Sequence, residues 1–344
     1  MLVPVGLSSF SAKSLPLTIL AGDIGGTKTN LALYAFAKDS IDLIRKEHFH
    51  TKSFAGIIEM VSAFLSGEGA PGVIALGAAG PIKDGMVNMT NLEFHVNSHD
   101  ISEHFGNIPV FLINDLEAAA FSLACLDEQD VVTIQQGTRD GSGNIAVIAP
   151  GTGLGEAGLY CGGKSWSPFA TEGGHCDFAA RTPLDLELFA FLQPRFGHVS
   201  WERLVSGPGI GNIFDFLVEI KGRSVPEEIV QQILAGDKAA VIGEHAAVCP
   251  VCKETIDLFI RYLAQESANL ALKLKATGGL FITGGILPKI RDQVQPGLFS
   301  QWFCSSGRMN ALLEGIPIHF VLNEEAPLIG AAYYGAHQKW QERT

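Results

Sequence analysis

No stretch of eighteen apolar residues occurs in the 344-residue chain, so no segment is long enough to cross a bilayer as a helix. Its six cysteines are few and irregularly spaced, which excludes a disulfide framework and points to a reducing compartment. Basic residues are in deficit: 24 Lys and Arg against 36 Asp and Glu give a formal net charge of -12, which argues against a nucleic-acid-binding face. Two phosphate-binding signatures are also missing. Without GxxxxGK[ST] the chain is no P-loop NTPase. A GxGxxG turn opening a helix is absent too, because Gly151-Thr152-Gly153-Leu154-Gly155 runs into Glu156 to Tyr160, which reads as strand. The apolar start, Leu2 to Phe10, precedes its one basic residue, Lys13, the reverse of a secretory signal. Residues 1–16 are expected to form a short disordered extension. Four serines there and no acid keep an organelle transit peptide as the alternative to a cytoplasmic chain. What the chain has in quantity is apolar residue, 47%, enough to bury a sizeable core.

Leu17 to Ala21 is a β-rich apolar run that stops at Gly22-Asp23-Ile24-Gly25-Gly26-Thr27. Asn30 to Phe36 resumes it, which predicts a hairpin across a glycine turn. A third strand is predicted over His48 to Lys52 and a helix over Phe54 to Leu65. Strands are predicted over Val73 to Ala78 and Val110 to Ile113, then an alanine-rich helix over Leu116 to Leu126. Near residue 150 the order returns: strand Ile145 to Ala149, turn Gly151-Thr152-Gly153, strand Glu156 to Tyr160. This repeat suggests two related half-folds that face each other. Beyond it lie a helix over Leu184 to Leu192, a polar glycine-punctuated segment, and a helix over Cys252 to Leu274. A strand over Leu280 to Thr283 ends at Gly284-Gly285 and leads into a helical stretch, Leu287 to Val294. A strand over Ile318 to Leu322 and a last helix over Ala326 to His337, with small residues on one face, complete the reading. No low-complexity linker separates the halves, so a hinged molecule fits better than independent beads.

A phosphate must approach backbone N–H groups closely, and glycines leave them uncovered. Gly25 and Gly26 offer such donors, Thr27 adds a hydroxyl, Lys28 a mobile positive charge, and Asp23 a ligand for Mg²⁺, directly or through water. Gly151, Thr152 and Gly153 repeat the device. Each turn alone is equally an ordinary hairpin turn. Together, with an acid in the first, they favour phosphate. Gly284 and Gly285 are either a plain strand-to-helix connection or a place where a base or ribose comes close.

Asp115 follows a strand and precedes a helix, which suits either a helix cap or a general base that takes a proton from an attacking hydroxyl. Asn114 and the polar Asn88-Met89-Thr90-Asn91 loop offer amides to a polyol. Glu172 and His175 flank two glycines, a set that can donate to and accept from sugar hydroxyls. A zinc site on His175 and Cys176 is the rival, disfavoured because paired CxxC spacing is absent. Cys249-x-x-Cys252 reads as structural. Glu202 is a surface carboxylate or a further sugar contact, and Trp166 and Phe169 belong to the core or a cleft wall.

In combination and order, these pieces resemble the bacterial-type glucokinases of the hexokinase/actin-like ATPase superfamily, without the repressor-type zinc cluster. They are Gly22 to Thr27, Met89-Thr90-Asn91, Ile113-Asn114-Asp115, Gly151 to Gly155, Glu172 to His175, Glu202 to Gly209 and Gly284-Gly285. The resemblance covers residues 17 to 344. It implies a two-lobed, ribonuclease H-like α/β fold of mixed sheets covered by helices, with an interlobe cleft. The small domain would take residues 17–125 plus 323–344, and the large one 126–322. It further implies ATP- and Mg²⁺-dependent phosphorylation of the glucose 6-hydroxyl in a cytoplasmic homodimer. Asp115 would be the base; Asn91, Asn114, Glu172, His175 and Glu202 would bind the sugar. The glycine turns, Gly284 and Gly285 would hold the nucleotide. Another hexose or an amino sugar as acceptor, ADP or polyphosphate as donor, and a non-catalytic nucleotide-binding module are the alternatives.

Overall fold

A computed structural model describes residues 2–6, 17–37, 40–89 and 95–341. Its first half contains β1 (Leu17–Ile24), β2 (Lys28–Ala37), β3 (Ser40–His50), α1 (Ile57–Phe64), β4 (Val73–Ala78), β5 (Ile82–Lys83), β6 (Met86–Asn88), β7 (His95–Asn97), α2 (Ser98–His104), β8 (Val110–Asn114) and α3 (Asp115–Ser122). There follow β9 (Val131–Gln135), β10 (Ile145–Pro150), β11 (Leu154–Cys161), β12 (Trp166–Thr171), α4 (Pro183–Phe196), α5 (Gly207–Glu219), α6 (Glu227–Ala235), α7 (Lys238–His245) and α8 (Pro250–Leu274). The chain ends with β13 (Gly279–Ile282), α9 (Leu287–Ile290), α10 (Pro296–Phe303), α11 (Asn310–Glu314), β14 (Ile318–Val321) and α12 (Ala326–Gln341).

The chain divides into two compact units: Met1–Asp130 with Leu159–Ala170 and Asn323–Thr344, and Val131–Gly158 with Thr171–Leu322. In the first, a five-stranded sheet runs β3-β2-β1-β4-β8. The β1–β2 and β2–β3 pairs are antiparallel, and β1–β4 and β4–β8 are parallel. One apolar layer, with Leu20, Leu33, Ile74 and Leu76 from the strands and Met60 and Phe64 from α1, closes one face. Helix α12 packs on the same sheet. Its small face has a steric cause: a side-chain carbon at Gly330 would collide with the Ala118 carbonyl of α3.

The second sheet runs β12-β11-β10-β13-β14-β9. Parallel β10–β13–β14 and an added antiparallel β9 extend from the β10–β11 turn. Strand order in the two sheets therefore repeats, three strands joined in series and then parallel neighbours, as the recurrent strand–turn–strand pattern suggests. The central helix α8 buries Phe259, Tyr262, Leu263 and Leu270 in one large core with α5, α7 and α10.

Four expectations are corrected. The polar, glycine-punctuated segment after α4 holds three helices, α5 to α7, whose caps Ser206 and Asp237 accept from backbone N–H groups. The third strand is longer and earlier than His48 to Lys52. Helix α9 stops at Ile290, followed by a single 3-10 turn. Finally, the part of the N-terminal extension that is described is ordered: Val3 and Val5 are buried, and Val5 bridges Trp166. Apolar side chains with a strand to pair with do not stay in solvent. Trp166 is thereby buried, while Phe169 is 40% exposed.

Candidate active site

In the first unit the glycine turn is held by its neighbours. The Gly25 N–H donates to the Lys28 carbonyl at 3.1 Å. Thr51 donates its hydroxyl to the Gly25 carbonyl at 2.8 Å and its N–H to the Thr27 carbonyl at 3.0 Å. Asp23, one strand residue before the turn, receives the Asn30 amide at 3.4 Å, and His48 Nδ1 lies 2.6 Å from Asn30 Oδ1.

Parallel register places Asp23 beside Gly77 on β4, and Gly77 beside Ile113 on β8. The intervening residue has no side chain. Asp115, two residues past Ile113, opens α3. Burial, then the charge of Asp115, pushes Asp23 up to about 6, against the opposing pull of Asn30 and Lys28. Two carboxylates within electrostatic reach beside a loop of backbone donors suit a divalent cation, which would relieve their repulsion. Asp115 is not the cap of α3. Asn114 is, its Oδ1 accepting from the N–H groups of Leu116 at 3.0 Å and Glu117 at 3.2 Å. Its Nδ2 reaches the Gly80 carbonyl at 3.4 Å. Asp115 accepts from the Leu116 N–H at 2.9 Å, at the positive end of the helix. Asn91 and Thr90 lie outside the described residues.

In the second unit, the Gly151 N–H donates to the Gly153 carbonyl at 2.8 Å, closing the turn tightly. Glu202 Oε2 accepts from Leu154 N–H at 3.0 Å, and the Gly207 N–H reaches the Gly151 carbonyl at 2.8 Å. Glu202 is therefore no plain surface carboxylate: it braces the turn. The loop carrying Glu172 and His175 joins this cluster, because Trp201 donates its N–H to the Cys176 carbonyl at 3.0 Å. Glu172 and His175 lie 3.9 Å apart and are well exposed, able to meet a solute.

A cavity of about 910 Å³ opens beside this turn within the same unit. Gly151, Thr152, Gly207, Asn212, Lys238 and Gly285 line it. It is near the upper end of ordinary small-molecule sites, roughly 300–1,000 Å³. The N-termini of α5 and α7 border it, an arrangement that favours anions. The two glycines after β13 have separate jobs. Gly284 has φ +99°, and a side-chain carbon there would sit 2.5 Å from the Pro150 carbonyl, so glycine is required by the fold. Gly285 borders the cavity. Lys238, paired with Asp215 at 2.5 Å, and Lys289 are site residues that motif reading missed. The available signal was the cap residue Asp237 just before Lys238-Ala239-Ala240.

The glucokinase family model matches residues 20–338. A glucokinase of Nostoc sp. (strain PCC 7120) is 36% identical over 337 residues, covering 92% of this chain and 98% of the relative. The crystal structure of a glucokinase from an Antarctic psychrotroph is 33% identical, with a TM-score of 0.80 over 93% of this chain and 98% of that one. A ROK family glucokinase from Streptomyces griseus, solved with glucose and AMPPNP, shares the fold at 20% identity, with a TM-score of 0.62 and coverage of 93% and 99%. With the family model spanning both glycine turns, Asn114-Asp115 and the Glu172–His175 loop, the chain belongs to the bacterial-type glucokinase family.

Proposed function

We propose that this hexose kinase transfers the γ-phosphoryl group of ATP to the 6-hydroxyl of glucose, with Asp115 as general base. The observation that carries this reading is the row Asp23–Gly77–Ile113, with Asp115 two residues past Ile113 at the opening of α3. It gives one unit a carboxylate for the acceptor proton and another for a metal, at the same end of one sheet. Family membership supports glucose as acceptor and ATP as donor.

In this reading Asp115 accepts the proton as the hydroxyl oxygen attacks the γ-phosphorus, and the β,γ-bridging oxygen leaves with ADP. The turn of Gly25, Gly26 and Thr27 and that of Gly151 to Gly153 hold phosphate oxygens through donors other than the Gly25 and Gly151 N–H groups, which close the turns, and Gly285, Asn212 and Lys238 receive the nucleoside. Mg²⁺ would be held by Asp23, directly or through water, and supplies neutralisation of phosphate charge. Asn91, Asn114, Glu172, His175 and Glu202 hold the other sugar hydroxyls. Exclusion of water, the competing acceptor, from the sugar site rests on the family resemblance. The homodimer and the cytoplasmic, glycolytic setting rest on the family resemblance. The test is a rate comparison with ATP and Mg²⁺ on glucose, mannose, fructose and glucosamine. Glucose should give the highest kcat/KM; a higher value on any other sugar contradicts the assignment.

A further inference from the structure

Beneath the Glu172–His175 loop lies a buried acid pair that the reaction does not use. Glu156 on β11 is 1% exposed, and Glu266 on α8 is fully buried. Neither carboxylate oxygen of Glu156 receives an N–H or hydroxyl donor. The Glu266 carboxylate lies within electrostatic reach of it. Glu266 in turn accepts from Asn269 at 2.7 Å and Lys273 at 3.2 Å. A buried carboxylate without a donor, beside a second acid, is held in place at least cost when it carries a proton. Burial first, then the charge of Glu266, lifts Glu156 to about 8, with Lys273 opposing.

On its other side Glu156 supports the loop. A side-chain carbon at Gly173 would collide with Glu156 Oε2. The Thr171 hydroxyl donates to the Glu156 carbonyl at 3.1 Å, and the Gly173 N–H donates to Thr171 Oγ1 at 3.2 Å. Gly173 and Gly174 separate Glu172 from His175, so the height of this floor sets where both side chains stand.

We infer that Glu156 is a positioning residue for sugar binding: its proton, shared with Glu266, holds the Glu172–His175 loop down, and losing that proton lifts the loop. The inference rests on the sugar-binding role proposed for Glu172 and His175. The charged and titratable groups around the pair are Glu266 and Lys273 of α8, with Cys176 of the loop close to Lys273. When the shared proton leaves to solvent, two buried negative charges face one ammonium, and Glu156 is driven against Gly173.

The test is the KM for glucose and kcat from pH 6.5 to 9.5, in the native protein, Glu156→Gln and Glu266→Gln. If only the protonated floor binds sugar, the native KM rises about tenfold between pH 7 and 9 with the KM for ATP unchanged. Either glutamine removes one negative charge and keeps a hydrogen bond across the pair, so both variants should hold a flat, low KM. Hydrogen exchange of the peptide spanning residues 171–176, compared at each pH between native and Glu156→Gln, reads the loop without turnover. Faster exchange is expected in the native protein alone above about pH 8. A KM rise shared by the variants, or equal exchange at pH 9, overturns the inference. Failure to phosphorylate glucose at any pH contradicts the proposed function instead, and the exchange comparison then decides the loop's dependence by itself.

Discussion

Asp23 and Asp115 differ in what surrounds them, and the two proposed roles follow that difference. Asp23 is drawn into the sheet, takes one amide hydrogen bond from Asn30 and is pushed up by burial and by its neighbour's charge. Asp115 stands at a helix N-terminus capped by another residue. Composition and spacing left Asp115 open between cap and base; Asn114 takes the cap, and the base is the proposed role. Glu202 is held through one of its two carboxylate oxygens. Its acceptor role for the Leu154 N–H connects two segments 48 residues apart, a contact that no local pattern reveals. Glu202→Ala leaves that partly buried N–H without its acceptor and should lower stability by about 1–3 kcal/mol. Thermal or urea denaturation measures it, and a loss within error of zero would show the brace to be dispensable. Glu156 carries a pH consequence for the fold itself. Its folded-state value lies above the ordinary 4.5, so its stabilising contribution is complete below that value and is lost as pH rises through about 8. Glu156→Gln should therefore gain stability relative to the native chain at pH 9 and gain little or nothing at pH 5. Equal pH dependence in both proteins would contradict the buried, shared proton.

At the scale of elements, the strands beside the two glycine turns were legible because each is a short apolar run stopped by glycine. Val73–Ala78 is buried at every position and emerges with the same bounds from its composition. Helices α5 to α7 were not legible for the converse reason. Gly207-Pro208-Gly209 opens α5, and low-propensity residues mask a helix that tertiary burial of Ile210, Ile213, Phe214 and Leu217 supports. Ser206, whose hydroxyl accepts from Gly209 N–H at 3.0 Å, was the local signal. The small face of α12 was legible, but not its partner. Because Gly330 abuts the Ala118 carbonyl, Gly330→Ala should destabilise the protein. In an unhindered helix the same change would stabilise by roughly 0.5–1 kcal/mol. The sign of the change in melting temperature decides between them, and a rise would contradict the close approach of α12 to α3.

For the molecule as a whole, the repeated strand order explains why two glycine turns occur about 126 residues apart in the chain, Gly25 to Gly151. Each follows the first strand of a hairpin, β1 or β10, and each is tied down by other segments of its own unit: Thr51 in one, Glu202 and Gly207 in the other. Of the cavity residues Lys238, Asn212 and Lys289, only Lys238 had a local signal in the sequence, since they converge only when α5, α7 and α9 come together. Ligand binding to the native state alone adds stability, about 2.7 kcal/mol at a hundred times Kd. Saturating glucose should accordingly raise the melting temperature by several degrees, and an unchanged transition would contradict a folded sugar site. The central claim, that Asp115 is the base that deprotonates the acceptor hydroxyl, is tested most directly by Asp115→Asn, which keeps the shape of the side chain and removes its basicity. Steady-state kinetics with ATP, Mg²⁺ and glucose should show kcat lowered by about 10²–10⁴-fold while calorimetry still finds glucose bound. Turnover within a few-fold of the native rate would contradict the account.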